Sequence, residues 1–412
     1  MKNYYILKMY CSKIFLLGSG NFWYEDNVMG DDKSLFYRMY SCIMFFIYGF
    51  MTVLEIMAAV FGDFPSDEKR DSVTFAVSHT VVMLKICSVL LQKDLVKALN
   101  RKMVTICEHY EEQQLMSEKY RVMKINVVAY FVTVYGSAAC FVFEGLRKVF
   151  EGSHFVTVVT YYPSYEDNSV IASTFRIFTT AILFVMLMNM IVSVDSFTMI
   201  YLIIYKYKII TLRQYFENLR ATFDELNVPG NEDVAAQKLS DGLVEGIQMH
   251  SQLLRLLKDI DKAFGTVMAL QLCQSSGSAV SLLLQIALSD QLTFVAGMKI
   301  IFFVVALFFL LGLFLCNAGE ITYQASLLSD AIFYSGWHAC RPRVSSRNIR
   351  KIVLLAIMQA QRPLVMKAFK MLELTYGTFI LVRINVVLYL YYIFYEGHKL
   401  MKIRMNLLFA PI

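Results

Sequence analysis

The constraint that bears hardest on this chain is a set of long apolar blocks, each bounded by charge. They fall at about 36–61, 73–91, 125–143, 173–205, 264–288, 294–318 and 375–394. About 20 apolar residues in a helix cross the hydrocarbon core of a bilayer. Only helices or closed barrels satisfy every backbone hydrogen bond there. The blocks do not alternate polar with apolar, so they read as helices. The whole chain is 57% hydrophobic and 17% charged, against about 45–50% and about 25% in soluble domains. The expected fold is therefore all-α: a seven-helix membrane protein.

The loops set the expected orientation, because short basic loops stay on the cytoplasmic side. Lys93, Lys97, Arg101 and Lys102 follow the second block, Lys206, Lys208, Arg213 and Arg220 the fourth, and Arg341, Arg343, Arg347 and Arg350 the sixth. The intervening loops are acidic or short, as in Asp63, Asp67, Glu68 and Asp71. The N-terminus is expected in the cytoplasm, opposite to a G-protein-coupled receptor. The first residues lack the small-residue cleavage site of a signal peptide.

Chemistry is sparse. The eight cysteines form no Cys-x-x-Cys pair and read as small buried hydrophobes. There is no phosphate loop, no His-Glu-x-x-His and no Gly-x-Ser-x-Gly, so no enzyme, cofactor or metal is expected. The basic residues lie in loops, which argues for topology and against nucleic acid. Lys85 and Asp195 interrupt blocks two and four. They are expected near cytoplasmic ends, where a lysine reaches the interface. Leu243, Ile247, His250, Leu254, Leu257 and Phe264 share one helix face and extend block five beyond the bilayer, with His250 expected as a packing residue. The stretch 350–358 is apolar on one side and too short to span; proline at 363 ends or kinks it.

Residues 319–377 carry a recognisable pattern: Gly319-Glu320, Tyr334, Trp337, Arg350, then Gln359-Ala360-Gln361-Arg362-Pro363-Leu364, closing with Leu374-Thr375-Tyr376-Gly377. This order resembles the C-terminal signature of insect odorant receptors. The related gustatory receptors follow their Thr-Tyr pair with Gln-Phe, whereas Tyr376 is followed here by Gly-Thr-Phe-Ile. The resemblance implies a ligand-gated, non-selective cation channel. A variable odorant-binding subunit assembles as a tetramer with the odorant receptor coreceptor, in the plasma membrane of an olfactory neuron dendrite. It implies an N-terminal segment (1–35), a six-span bundle (36–318), a cytoplasmic anchor (319–374), a pore-lining last span (375–394) and a tail (395–412). Glu320, Tyr334, Trp337, Arg350, Gln361, Arg362, Pro363 and Tyr376 would belong to the anchor signature.

The resemblance also places the odorant among the outer halves of spans two, three, four and six. A volatile ligand offers dispersion and few hydrogen bonds, so apolar and aromatic walls suit it. Candidates are His79 and Met83 in span two, and Tyr135, Gly136, Ala139 and Phe143 in span three. Span four offers Phe178, Ile182 and Met186, and span six Phe302 and Phe303. Plain packing or lipid contact is the competing role for each. Beyond about Leu381 the sequence departs from the family's ending, and Val382-Arg383-Ile384-Asn385 is expected to mark a read-through past a splice site. If the tail is native, Leu388, Tyr389 and Tyr392 are the pore candidates.

Overall fold

The computed structural model describes residues 2–25, 28–288, 294–339, 344–369 and 371–388. It is helical almost throughout. The helices are α1 (Asn3–Leu16), α2 (Leu35–Phe61), α3 (Ser66–Leu91), α4 (Lys93–Thr105), α5 (Gln113–Phe150), α6 (Val170–Met190), α7 (Ser196–Leu226), α8 (Glu232–Leu288), α9 (Phe294–Ser326), α10 (Leu328–Phe333), α11 (Val344–Ala360) and α12 (Tyr376–Leu388). A two-residue hairpin, β1 (Lys367–Ala368) with β2 (Leu372–Glu373), precedes α12.

Among the described residues, five helical segments are long and apolar enough to cross a membrane. The end of α8 and α12 correspond to the fifth and seventh apolar blocks. The segment 170–226 is one continuous helical run of 57 residues, about 85 Å at 1.5 Å per residue. It outreaches a bilayer core of about 30 Å and must project beyond it. A π-helical turn, Ile191–Asp195, marks where α6 passes into α7. The helix α8 is equally long at 57 residues.

The core sits around α7. From Ser196 to Tyr205 every side chain is buried, as expected of a helix that is apolar on all sides. It packs against α5, α8 and α9. The opposite situation holds on the outer faces. Phe46 and Phe50 of α2, Val128 and Val132 of α5, and Ile177 of α6 are all exposed. So broad an apolar belt is foreign to a soluble surface and natural against lipid.

The start of the chain folds onto this bundle. Ile6, Leu7, Tyr10, Cys11 and Ile14 bury one face of α1, and Phe22 and Trp23 are buried beyond it. Ser19 Oγ donates to Asn189 Oδ1 at 3.2 Å, beside the π turn. Between α4 and α5, the Glu111 carboxylate accepts from Lys119 Nζ at 2.6 Å and from Asn3 Nδ2 at 2.7 Å, and Lys208 Nζ lies 3.3 Å away. Burial alone would push the Glu111 carboxyl up, but Lys208 and Lys119 outweigh it and hold the group below its ordinary range.

The expectation that Lys85 and Asp195 reach the interface is overturned. Neither side chain has any exposed surface, and Lys85 Nζ lies 3.7 Å from Asp195 Oδ1. Lys85 also donates to Gln271 Oε1, and the Tyr130 hydroxyl donates to Asp195 Oδ2. Helices α3, α5 and α8 thus each contribute a polar group where α7 begins. A charge that cannot reach water is tolerated in the bilayer interior when it is paired.

Candidate functional site

Directly beside this polar cluster, five helices line a small cavity. From α3 come Phe75, Ser78, His79 and Val82; from α5, Val134, Ser137, Ala138 and Phe141. The helix α6 supplies Leu183, Leu187 and Met190, α8 supplies Gln274, and α9 supplies Phe303, Ala306, Leu307 and Leu310. The spacings are helical: Phe75, Ser78 and Val82 form one stripe, and Leu183, Leu187 and Met190 another. The volume is about 90 Å³, several times the roughly 10–15 Å³ that one water occupies.

The walls are almost wholly apolar, with four polar side chains among them. Ser137 Oγ donates to the carbonyl of Val134 at 2.8 Å. His79 Nδ1 lies 2.6 Å from Glu55 Oε2, both buried, and its ring stacks on Phe75. Phe141 in turn meets Phe303 edge to face at 5.5 Å between centroids, so aromatic contacts join α3, α5 and α9 around the cavity. The floor connects to the polar cluster within one helical turn. Val82 precedes Lys85 by three residues, Gln274 follows Gln271 by three, and Val134 follows Tyr130 by four.

Of the candidates from sequence, His79 and Phe303 line the cavity. Met186 is buried in the core, and Met83, Tyr135 and Ile182 pack partly buried against it. The Tyr135 hydroxyl donates to the Phe184 carbonyl at 2.9 Å. Gly136 faces open space, and Ala139 is half-buried. Phe143, Phe178 and Phe302 are each more than half exposed, on the side a lipid would meet. On α5 the difference is one of rotation: Val134, Ala138 and Phe141 point inward where Tyr135, Ala139 and Phe143 were expected. One residue turns a helix by about 100°.

The signature residues gather at the other end of the molecule. Tyr376 Oη donates to Glu320 Oε2 at 2.7 Å, joining α9 to α12. Trp337 Nε1 donates to the carbonyl of Phe333 at 2.7 Å. Tyr334, Arg350, Gln361, Arg362 and Pro363 are exposed. His250 is buried where α8 faces α11, and that burial pushes its imidazole below the usual value. Leu388 is exposed at the end of α12. Tyr389 and Tyr392 lie outside the described residues, as does the tail.

A family model described as 7tm Odorant receptor matches residues 67–385. The chain belongs to this family. The match covers most of the chain, well beyond the signature region from Gly319 to Gly377. No curated protein matches the receptor in sequence. Its fold is similar to the insect olfactory receptor OR5 from Machilis hrabei in complex with eugenol. The TM-score is 0.75 at 12% identity, covering 95% of this chain and 99% of that one. A second structure of the same OR5 gives a TM-score of 0.73 at 13% identity, covering 94% and 98%. The receptor therefore has the seven-helix membrane fold of those structures and is a receptor of the odorant-binding class.

Proposed function

We propose that this receptor binds a small, largely apolar volatile in the cavity between α3, α5, α6, α8 and α9. It assembles with the odorant receptor coreceptor as a tetramer and opens a non-selective cation channel in the plasma membrane. The observation that carries this reading is the cavity itself. It is apolar, and it sits within one helical turn of the buried Lys85–Asp195 pair. A ligand there gains mainly from apolar burial, at about 25 cal/mol per Å².

Gating is a shift between two packings of the bundle. A ligand that prefers the open packing tenfold contributes about 1.4 kcal/mol per occupied site. The helix α8 passes from the cavity, through Gln274 and Gln271, to the face of α11 and the β1–β2 hairpin before α12. It is the rigid element that could transmit such a shift. The exposed Leu354, Leu355 and Met358 of α11 suit it to packing against neighbouring subunits in a central anchor. The last helix, with Ile384, Val387 and Leu388 exposed, is the segment assigned to the pore. The N-terminus and the basic loops face the cytoplasm.

Co-expression with the coreceptor in a heterologous cell, with odorant-evoked current as the readout, tests this reading. Current that needs both subunits supports it. Current from this chain without the coreceptor removes the partner, and an N-terminal tag labelled from outside intact cells removes the topology.

A further inference from the structure

Two residues of the cavity wall carry buried polar atoms that the protein leaves unsatisfied. Ser78 Oγ and Gln274 Oε1 have no hydrogen-bond partner, yet both residues line the cavity wall. Ser78 is only 7% exposed. Buried polar groups are nearly always paired, and one left alone costs about 1–3 kcal/mol. A serine in a helix can ordinarily back-bond to the carbonyl one turn earlier. Thr80, two residues on, does so to Ala76 at 2.6 Å, whereas Ser78 does not.

We infer that the cavity is built for a ligand carrying a hydroxyl group, an alcohol or phenol of otherwise apolar skeleton. This deepens the proposed function and rests on the cavity being the ligand site. The assignment follows from the donor and acceptor inventory. Gln274 Oε1 can only accept. Ser78 Oγ can donate. A hydrocarbon satisfies neither. A ketone, aldehyde or ether can accept from Ser78 but leaves Gln274 Oε1 bare. A hydroxyl offers a donor and an acceptor together, the pair of functions these two atoms lack.

His79 adds a further polar side chain to the α3 wall, with Nδ1 held 2.6 Å from Glu55 Oε2. A cationic amine is disfavoured, because among the described residues no carboxylate lines the cavity and an unpaired charge in so apolar a site is costly.

The test uses matched ligands on two skeletons: toluene, benzaldehyde and benzyl alcohol; and cyclohexane, cyclohexanone and cyclohexanol. Each is titrated against the purified full-length receptor, with melting temperature as the readout, and against cells co-expressing the coreceptor, with current as the readout. The alcohol should stabilise at about tenfold lower concentration than its carbonyl and hydrocarbon partners. Ser78→Ala and Gln274→Leu should each remove about that factor for the alcohol, and a ligand-free melting temperature near the parent's shows that the variants fold. Equal potency across a triple, or alcohol binding indifferent to both substitutions, overturns the inference, as does failure of every alcohol to bind. Alcohol-selective binding without current upholds the ligand class and sinks the channel reading instead.

Discussion

Lys85 and Asp195 face each other at 3.7 Å in the middle of the helical bundle, with no exposed surface on either side chain. They lie on helices that are distant in sequence, and each depends on the other to remain charged there. Removing one partner of a buried pair strands the other, at a cost of about 3–5 kcal/mol. Replacing both with apolar side chains of similar size is often neutral. Lys85→Met and Asp195→Leu should therefore each lower the melting temperature strongly, and the double variant should recover most of the loss. A double variant as unstable as the sum of the singles would show that the pair does not act as a unit.

A second coupled pair lies where α9 meets α12. A Cβ added at Gly319 would stand 2.9 Å from the Tyr376 ring, and the Tyr376 hydroxyl donates to Glu320 at 2.7 Å. Gly319→Ala should push the ring out of place and weaken that hydrogen bond, a loss of about 1 kcal/mol. Tyr376→Ala should then cost less in the Gly319→Ala background than in the parent, because the hydrogen bond is already weakened there and removing the ring also relieves the clash. Melting temperatures of the four proteins decide it, and strict additivity would contradict the contact.

What the sequence shows and what it hides divide along physical lines. Block length is enough to announce the spans, since the bilayer fixes it. The periodic face from Leu243 to Phe264 is enough to extend the fifth span into α8. The helix α1 was legible too, because Ile6, Leu7, Tyr10, Cys11 and Ile14 repeat at helical spacing. That signal is weak over 14 residues. Pairing is different. Nothing local to Lys85 or Asp195 names its partner, so each read alone as an interfacial charge. The cavity face of α5 depends on a rotation of about 100°, which a nearly all-apolar span does not encode in its pattern. Inward stripes on α3 and α6 were present at regular spacing and were the available clue.

The pH dependence of stability should carry the signature of Asp261, which sits in α8 just ahead of its apolar segment. Burial raises its carboxyl from 3.8 to about 6, against the pull of the Lys367 backbone N–H at 3.3 Å and of the Lys367 charge. Folding thus favours the protonated form. Its stabilising contribution is complete below about 3.8 and is lost as the pH rises through about 6. Asp261→Asn stays neutral and still accepts from Lys367. The variant should match the parent in acid and gain on it as the pH rises, with the gap constant above about 7. A gap independent of pH across that window would rule out titration of Asp261 as its cause.

Filling the cavity separates ligand binding from folding. Ala138 of α5 and Ala306 of α9 line it from two walls, and both are buried. Leucine at either position projects into a space of about 90 Å³, so the added carbons meet void before they meet neighbours. Filling such a space commonly stabilises a protein by about 0.5–2 kcal/mol, whereas overpacking a full core costs about 1–3 kcal/mol. Ala138→Leu and Ala306→Leu should therefore melt at or above the parent temperature while odorant-evoked current falls by more than about tenfold. If the two variants keep the parent's odorant potency, the ligand lies elsewhere in the bundle, and the cavity between α3, α5, α6, α8 and α9 is a packing defect.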